Sequence, residues 1–152
     1  MEENASPEDR QEFQQALTEL RQSQQNLENL QNREDVLSNS IEEIEVTEET
    51  LEGIKDVDSG TEILVPIGSG AYVSATINEP DKILNNLGAD LVSEQTPQKV
   101  MKLLGKQKKD LKESLEETQE KIEELNEKIE DLRPKVQRMM ARAQESRKQV
   151  RE

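Results

Sequence analysis

The sequence predicts a mainly α protein with a small β part: an antiparallel two-helix coiled-coil hairpin with two β-hairpins in its linker. Three observations carry that prediction. Apolar residues recur at steps of three and four over 7–54 and again over 97–152. Four of the six glycines (Gly60, Gly68, Gly70 and Gly88) and most of the β-branched clusters fall in or at the edge of 61–96. The charge is also divided: residues 1–60 carry 17 acids and 4 bases, and residues 97–152 carry 12 acids and 15 bases. The expected organisation is an N-terminal coiled-coil helix over 1–60, a β-hairpin oligomerisation region over 61–96 and a C-terminal coiled-coil helix over 97–152.

Composition excludes several functions. The 152 residues carry a formal charge of -14, which repels nucleic-acid phosphate and anionic membrane surfaces, so neither is an expected partner. Only Phe13 and Tyr72 are aromatic, and hydrophobic residues make up 31%. That is poor material for a thick core, where large side chains supply much of the buried area. With no Cys there is no disulfide, no thiolate metal site and no cysteine nucleophile; with no His there is no imidazole ligand or base. We therefore expect no catalytic residue, no metal and no cofactor. The start, Met1-Glu2-Glu3-Asn4, lacks the basic and apolar regions of a secretory leader, and no apolar run reaches the ~18 residues of a membrane span. A cytoplasmic location is expected.

Ser6-Pro7-Glu8-Asp9 is a helix start: a capping hydroxyl, Pro in the first turn, and acids at the positive end of the dipole. The first seam reads Phe13, Leu17, Leu20, Leu27, Leu30, Leu37, Ile41, Ile44 and Leu51, with Gln24, Glu34 and Glu48 filling gaps. This reading needs a three-residue slip between Leu27 and Leu30. The linker then supplies an apolar run over 62–67, a Gly68-Ser69-Gly70 turn and an alternating run over 72–77. Ile83–Leu87 and Asp90–Glu94, with Gly88 between them, read as a second, weaker hairpin. Pro66 lacks an N–H and belongs at an edge or bulge.

Thr96-Pro97 caps the last helix. Its seam reads Val100, Leu104, Gln107 and Leu111, then a four-residue slip to Leu115, Thr118, Ile122, Leu125, Ile129, Leu132, Val136, Met139, Ala143, Ser146 and Val150. At ~1.5 Å rise per residue the two helices would run about 70 and 80 Å. Neither can bury a two-in-seven apolar stripe alone, and their opposed charge favours pairing with each other. Two small hairpins cannot form a stable sheet alone, so they are expected to complete one with other subunits through Leu64, Val65, Ile67, Tyr72, Val73, Ile77, Ile83, Leu87 and Leu91.

Two long heptad helices around Glu62-Ile63-Leu64-Val65-Pro66-Ile67-Gly68-Ser69-Gly70-Ala71-Tyr72-Val73, followed by Ile83-Leu84-Asn85-Asn86-Leu87-Gly88-Ala89-Asp90, resemble the α-subunit type of the prefoldin family. The specific sequence lies in 62–90; the heptads are not distinctive. The linker holds two hairpins, as in the α type, where the β type has one. Asn85-Asn86 departs from the more apolar strand of that family. The resemblance implies an ATP-independent chaperone, a heterohexamer of two α and four prefoldin β subunits. Such a complex captures unfolded client proteins between coiled-coil tips and passes them to a group II chaperonin.

Under that reading the tips are roughly 1–20 and 134–152, and the client-binding candidates are Phe13, Ala16, Leu17, Leu20, Met139, Met140, Ala143 and Val150. Met is unbranched and polarizable and adapts to varied apolar partners. Pro134 removes a helical hydrogen bond, at ~3 kcal/mol, and would let the last turns fray. The competing reading makes these residues the end of a buried seam. The basic end, Arg133, Lys135, Arg138, Arg142, Arg147, Lys148 and Arg151, pairs with the acidic start or docks on a chaperonin rim. Two rival functions remain open: a structural coiled-coil tether or scaffold, and an acidic nucleic-acid mimic. Gly68-Ser69-Gly70 lacks P-loop spacing, and the Glu42–Glu49 acids lack an EF-hand pattern.

Overall fold

The computed structural model describes residues 7–149, and the side chains of residues 7–145. The order is α1 (Pro7–Lys55), β1 (Thr61–Gly68), β2 (Ala71–Ile77), β3 (Ile83–Gly88), β4 (Leu91–Gln95) and α2 (Pro97–Gln149). The chain forms two compact units. One holds residues up to Leu37 together with those from Ser114 onward; the other holds Ser38–Glu113. The Ser6 cap lies outside the described residues. The Thr96 cap is present: its Oγ1 accepts from the Lys99 N–H at 3.3 Å.

In the first unit, α1 and α2 pack antiparallel around a core of Ala16, Leu20, Ile129 and Val136. Phe13, Leu17, Leu27, Leu132 and Met139 lie partly buried against it. Three polar contacts fix the direction: Lys135 Nζ to Glu12 at 3.0 Å, Lys128 Nζ to Glu19 at 2.8 Å, and Gln119 Nε2 donating to Glu34 Oε1 at 2.9 Å. Hydrogen bonding and charge from Lys128 hold the Glu19 carboxyl below its ordinary range.

The seam corrects the sequence reading at three places: Ala16, Ser23 and Lys108 hold the positions read as Leu17, Gln24 and Gln107. On α1 the inward positions are Phe13, Ala16, Leu20, Ser23, Leu27, Leu30, Glu34, Leu37, Ile41, Ile44, Glu48 and Leu51. Ser23 is 3% exposed, whereas Gln24 faces solvent. Steps of three and four alternate throughout, so no slip exists. On α2 the positions are Val100 with Met101 beside it, then Leu104, Lys108, Leu111, Leu115, Thr118, Ile122, Leu125, Ile129, Leu132, Val136 and Met139. Here Lys108 is half-buried, Gln107 is exposed, and the second slip disappears. Both slips arose because apolarity guided the count, and Ser23 and Lys108 are polar. An unbroken heptad keeps each stripe facing its partner, which a slip would locally overwind or unwind.

The second unit carries the helix segments nearest the linker and both hairpins. Lys108 Nζ hydrogen-bonds Glu48, and Lys112 Nζ lies 3.3 Å from Glu45. The hydrogen bond to Glu48 and the charges of Glu48 and Glu45 hold Lys108 above its ordinary pKa. β1 and β2 pair antiparallel from Thr61↔Ile77 to Gly68↔Ala71, and β3 and β4 from Ile83↔Gln95 to Gly88↔Leu91. The two hairpins are separate two-stranded sheets. Their ends are built alike, with an irregularity before each glycine: between Pro66 and Gly68, and between Asn86 and Gly88. Two left-handed central residues follow in each: Ser69 and Gly70 in the first, Ala89 and Asp90 in the second. Asp90 therefore belongs to the turn, not to the strand expected from 90. Asn86 also serves the turn, its Oδ1 accepting from the Gly88 N–H at 2.9 Å.

Candidate functional site

Two surfaces carry the candidate residues. The first is the pair of hairpins. In β1–β2, Ile63, Val65, Val73, Ala75 and Ile77 share one face, while Leu64 and Pro66 share the other with Ser74 and Tyr72. Val65 sits directly opposite Val73, and Pro66 opposite Tyr72 beside the irregularity. Both faces thus bear apolar groups, and a two-stranded sheet can cover neither. Leu64 is 68% exposed and Tyr72 62%; Val65, Ile67 and Val73 are exposed too. Ile77 is half-buried.

In β3–β4, Leu87 and Leu91 are exposed near the turn and Ile83 is half-buried. Leu84, 65% exposed, and Val92, 60% exposed, were missed from the sequence. They stand on one face, opposite Glu94 and Asn86 respectively. Strand alternation was the available signal, since each lies one residue from a position that was chosen. The opposite face is polar and half-buried: Asn85, Ser93 and Gln95 join Ile83 there. Lys82 braces this hairpin through Glu79 and Glu94, both at 3.4 Å, and these partners raise its pKa, Glu79 most.

The second surface is the end of the first unit where α1 begins and α2 finishes. Ala16 and Leu20 are core; Phe13, Leu17 and Met139 are half-buried against it. Met140 is 47% exposed and Ala143 is exposed. Val150 lies outside the described residues. Pro134 does not stop the helix, and packing persists beyond it at Val136 and Met139. Arg138 Nε donates to the Pro134 carbonyl at 3.3 Å. Among the described residues Met139 is the last inward seam position; the next heptad position, Ala143, is open to solvent. Lys135 pairs with Glu12 here; Arg147, Lys148 and Arg151 fall beyond the described side chains.

Among the described residues no group of three acidic, His or Cys side chains is placed to hold a metal. No helix among them is long and apolar enough to cross a membrane.

Long helices packed along a heptad seam, joined by two hairpins with open apolar faces, define a coiled-coil subunit with a β linker. The comparisons specify which. The family profile described as Prefoldin subunit matches residues 23–142. Prefoldin subunit alpha of Methanopyrus kandleri is 35% identical over 107 residues, covering 70% of this chain and 68% of that protein. Prefoldin subunit alpha of Halorubrum lacusprofundi is 35% identical over 77 residues. There the match spans about half of each chain, 51% of both. A chain of the filamentous PFD from Methanocaldococcus jannaschii superposes with TM-score 0.65 at 27% identity, covering 76% of this chain and 95% of that one. The prefoldin beta subunit from Thermococcus strain KS-1 shares the fold, with TM-score 0.54 at 18% identity over 90% of this chain and 95% of that one. The chain belongs to the prefoldin family and is of the alpha-subunit type.

Proposed function

We propose that this chain is a subunit of an ATP-independent holdase, assembled with prefoldin β subunits as two α and four β chains. It holds unfolded proteins at the coiled-coil ends and passes them to a group II chaperonin. The observation that carries the assembly part is the row of exposed apolar side chains on two isolated hairpins, Leu64, Ile67, Tyr72, Leu84, Leu91 and Val92. Large apolar side chains this exposed on strands mark an interaction site, and open strand edges supply main-chain groups for a neighbouring strand. Family membership supports the chaperone part, because prefoldins are chaperones rather than enzymes.

The helix ends support capture. Met140 and Ala143 are exposed, and Phe13, Leu17 and Met139 are reachable by a small opening of the last layers. Weak, area-dependent apolar contacts suit a client without fixed shape, and several arms sum them through effective concentration.

The test is native mass determination with and without a β-type partner. A complex of two α and four β chains supports the proposal; a homodimer indifferent to the partner supports a tether. Tight, salt-sensitive binding to basic proteins without suppression of aggregation supports the mimic. Within an assembled complex, replacing Phe13, Leu17, Met139 and Met140 by Ser is expected to keep assembly but weaken suppression of client aggregation. Unchanged suppression sinks the tip assignment.

A further inference from the structure

Polar side chains hold several seam positions, but only Glu48 and Lys108 among the described residues meet there as an ion pair. Glu48 and Lys108 occupy heptad positions on α1 and α2, between Ile44 and Leu51 on one helix and Leu104 and Leu111 on the other. Their side chains are 17% and 25% exposed and hydrogen-bonded to each other. A leucine at each position would bury apolar area without desolvating two charges. Replacing a buried ion pair by well-packed apolar groups is commonly neutral or stabilising. A polar residue at a core heptad position, in contrast, fixes register and partner at a cost in stability.

Four ion pairs between helix side chains run in one sense, acid on α1 and base on α2: Glu12–Lys135, Glu19–Lys128, Glu45–Lys112 and Glu48–Lys108. Three of these are about half-exposed, where solvent and salt screen them. Glu48–Lys108 alone among them sits in the seam. A second copy of α1 laid parallel and in register against the first would place Glu48 on Glu48 in that layer, and α2 on α2 would place Lys108 on Lys108. An α1–α2 pair slipped by one heptad would set Glu48 against Met101 or Leu115 and leave both charges unpartnered.

We propose that Glu48–Lys108 is a pairing selector, reserving α1 for α2 in one register and rejecting a second copy of the same helix. The lack of cysteine in the chain allows a direct test by disulfide formation in the full-length protein. Glu45→Cys with Lys112→Cys reports the native register, Glu45→Cys with Gln119→Cys the one-heptad slip, and Glu45→Cys alone contact between copies of α1. In the native layer only the first pair should close. In a Glu48→Leu, Lys108→Leu background the melting temperature should rise or hold, and slipped or cross-copy disulfides should increase roughly tenfold relative to native ones. Glu48→Lys and Lys108→Glu should each melt lower than the parent, and the double swap should recover most of the loss. Native-only disulfides in the leucine background, or a swap that fails to recover, would overturn the proposal.

Discussion

Aspartate placed at Ser23 and, separately, at Gln24 should produce very different proteins. Both positions are helix interior, where Asp lies only ~0.2–0.3 kcal/mol below Ser or Gln in propensity, so propensity does not separate the two variants. Only Ser23 is enclosed, at 3% exposure beside Leu20 and Leu27. A carboxylate there loses hydration with no base assigned to it. A two-helix seam keeps water close, so a rise of about two pKa units is the relevant scale, below the three to five or so of a fully buried carboxyl. That corresponds to ~3 kcal/mol near neutral pH. With ~3 °C per kcal/mol for a chain of this length, Ser23→Asp should melt about 9 °C below Gln24→Asp. The sign with pH follows: the folded-state pKa of the new carboxyl is raised, so the penalty is full above it and fades as pH falls through it toward the unfolded value. Helix melting followed by circular dichroism at neutral and mildly acidic pH measures both effects. Equal losses at the two positions would refute the unbroken heptad, and a larger loss at Gln24 would restore a seam through that residue.

Three further outcomes are expected. Ile129→Ala opens a hole in the core cluster it forms with Ala16, Leu20 and Val136 and should cost ~2–3 kcal/mol, read as a melting shift of several degrees. Ala89→Gly relieves a left-handed non-glycine residue at φ 50 and should stabilise by ~0.5 kcal/mol after glycine's larger unfolded-state entropy is counted, measurable by denaturant titration. Glu19→Gln removes a carboxyl whose folded pKa is depressed from 4.5 by Lys128. Stability from that shift is present above the unfolded value and lost as pH falls through the folded one, so the gap between parent and variant should close below about pH 4.5.

How far the sequence could be read depended on whether polarity and position agreed. From Ile122 to Met139 every seam residue is apolar, and the expected register is the observed one. At Ser23 and Lys108 a polar residue holds a core position, and counting apolar steps moved the seam onto Gln24 and Gln107. Counting sevens from Ala16 through Leu30 and Leu37 would have crossed Ser23 without a slip. The hairpins were legible because Gly68, Gly70 and Gly88 adopt positive φ, a conformation that glycine takes without strain. Ala89 and Asp90 enter the same region without that signal, so the start of the last strand was misplaced. Strand alternation put Leu84 and Val92 together on one face, but not which face turns outward, so their exposure was not legible.

The two apolar surfaces of this chain differ in kind, and the difference bears on what each can recognise. Leu64, Val65, Tyr72 and Val73 are held on paired strands, at spacings fixed by the register from Thr61↔Ile77 to Gly68↔Ala71. Strand-held rows with unsatisfied edge groups favour a partner whose own strand matches in register, because a one-residue slip would turn every side chain to the wrong face. Phe13, Leu17, Met139 and Met140 instead lie at the last inward layer of the described helices or beside it. There, release of a half-buried side chain disturbs one layer, and the unbranched thioether can refit to whatever it meets. The proposed function thus assigns a defined assembly partner to the hairpins and a variable client to the helix ends, using the same apolar chemistry on two different supports. Serine substitutions at the hairpins should abolish assembly outright, whereas serine substitutions at the ends should lower client affinity in graded steps.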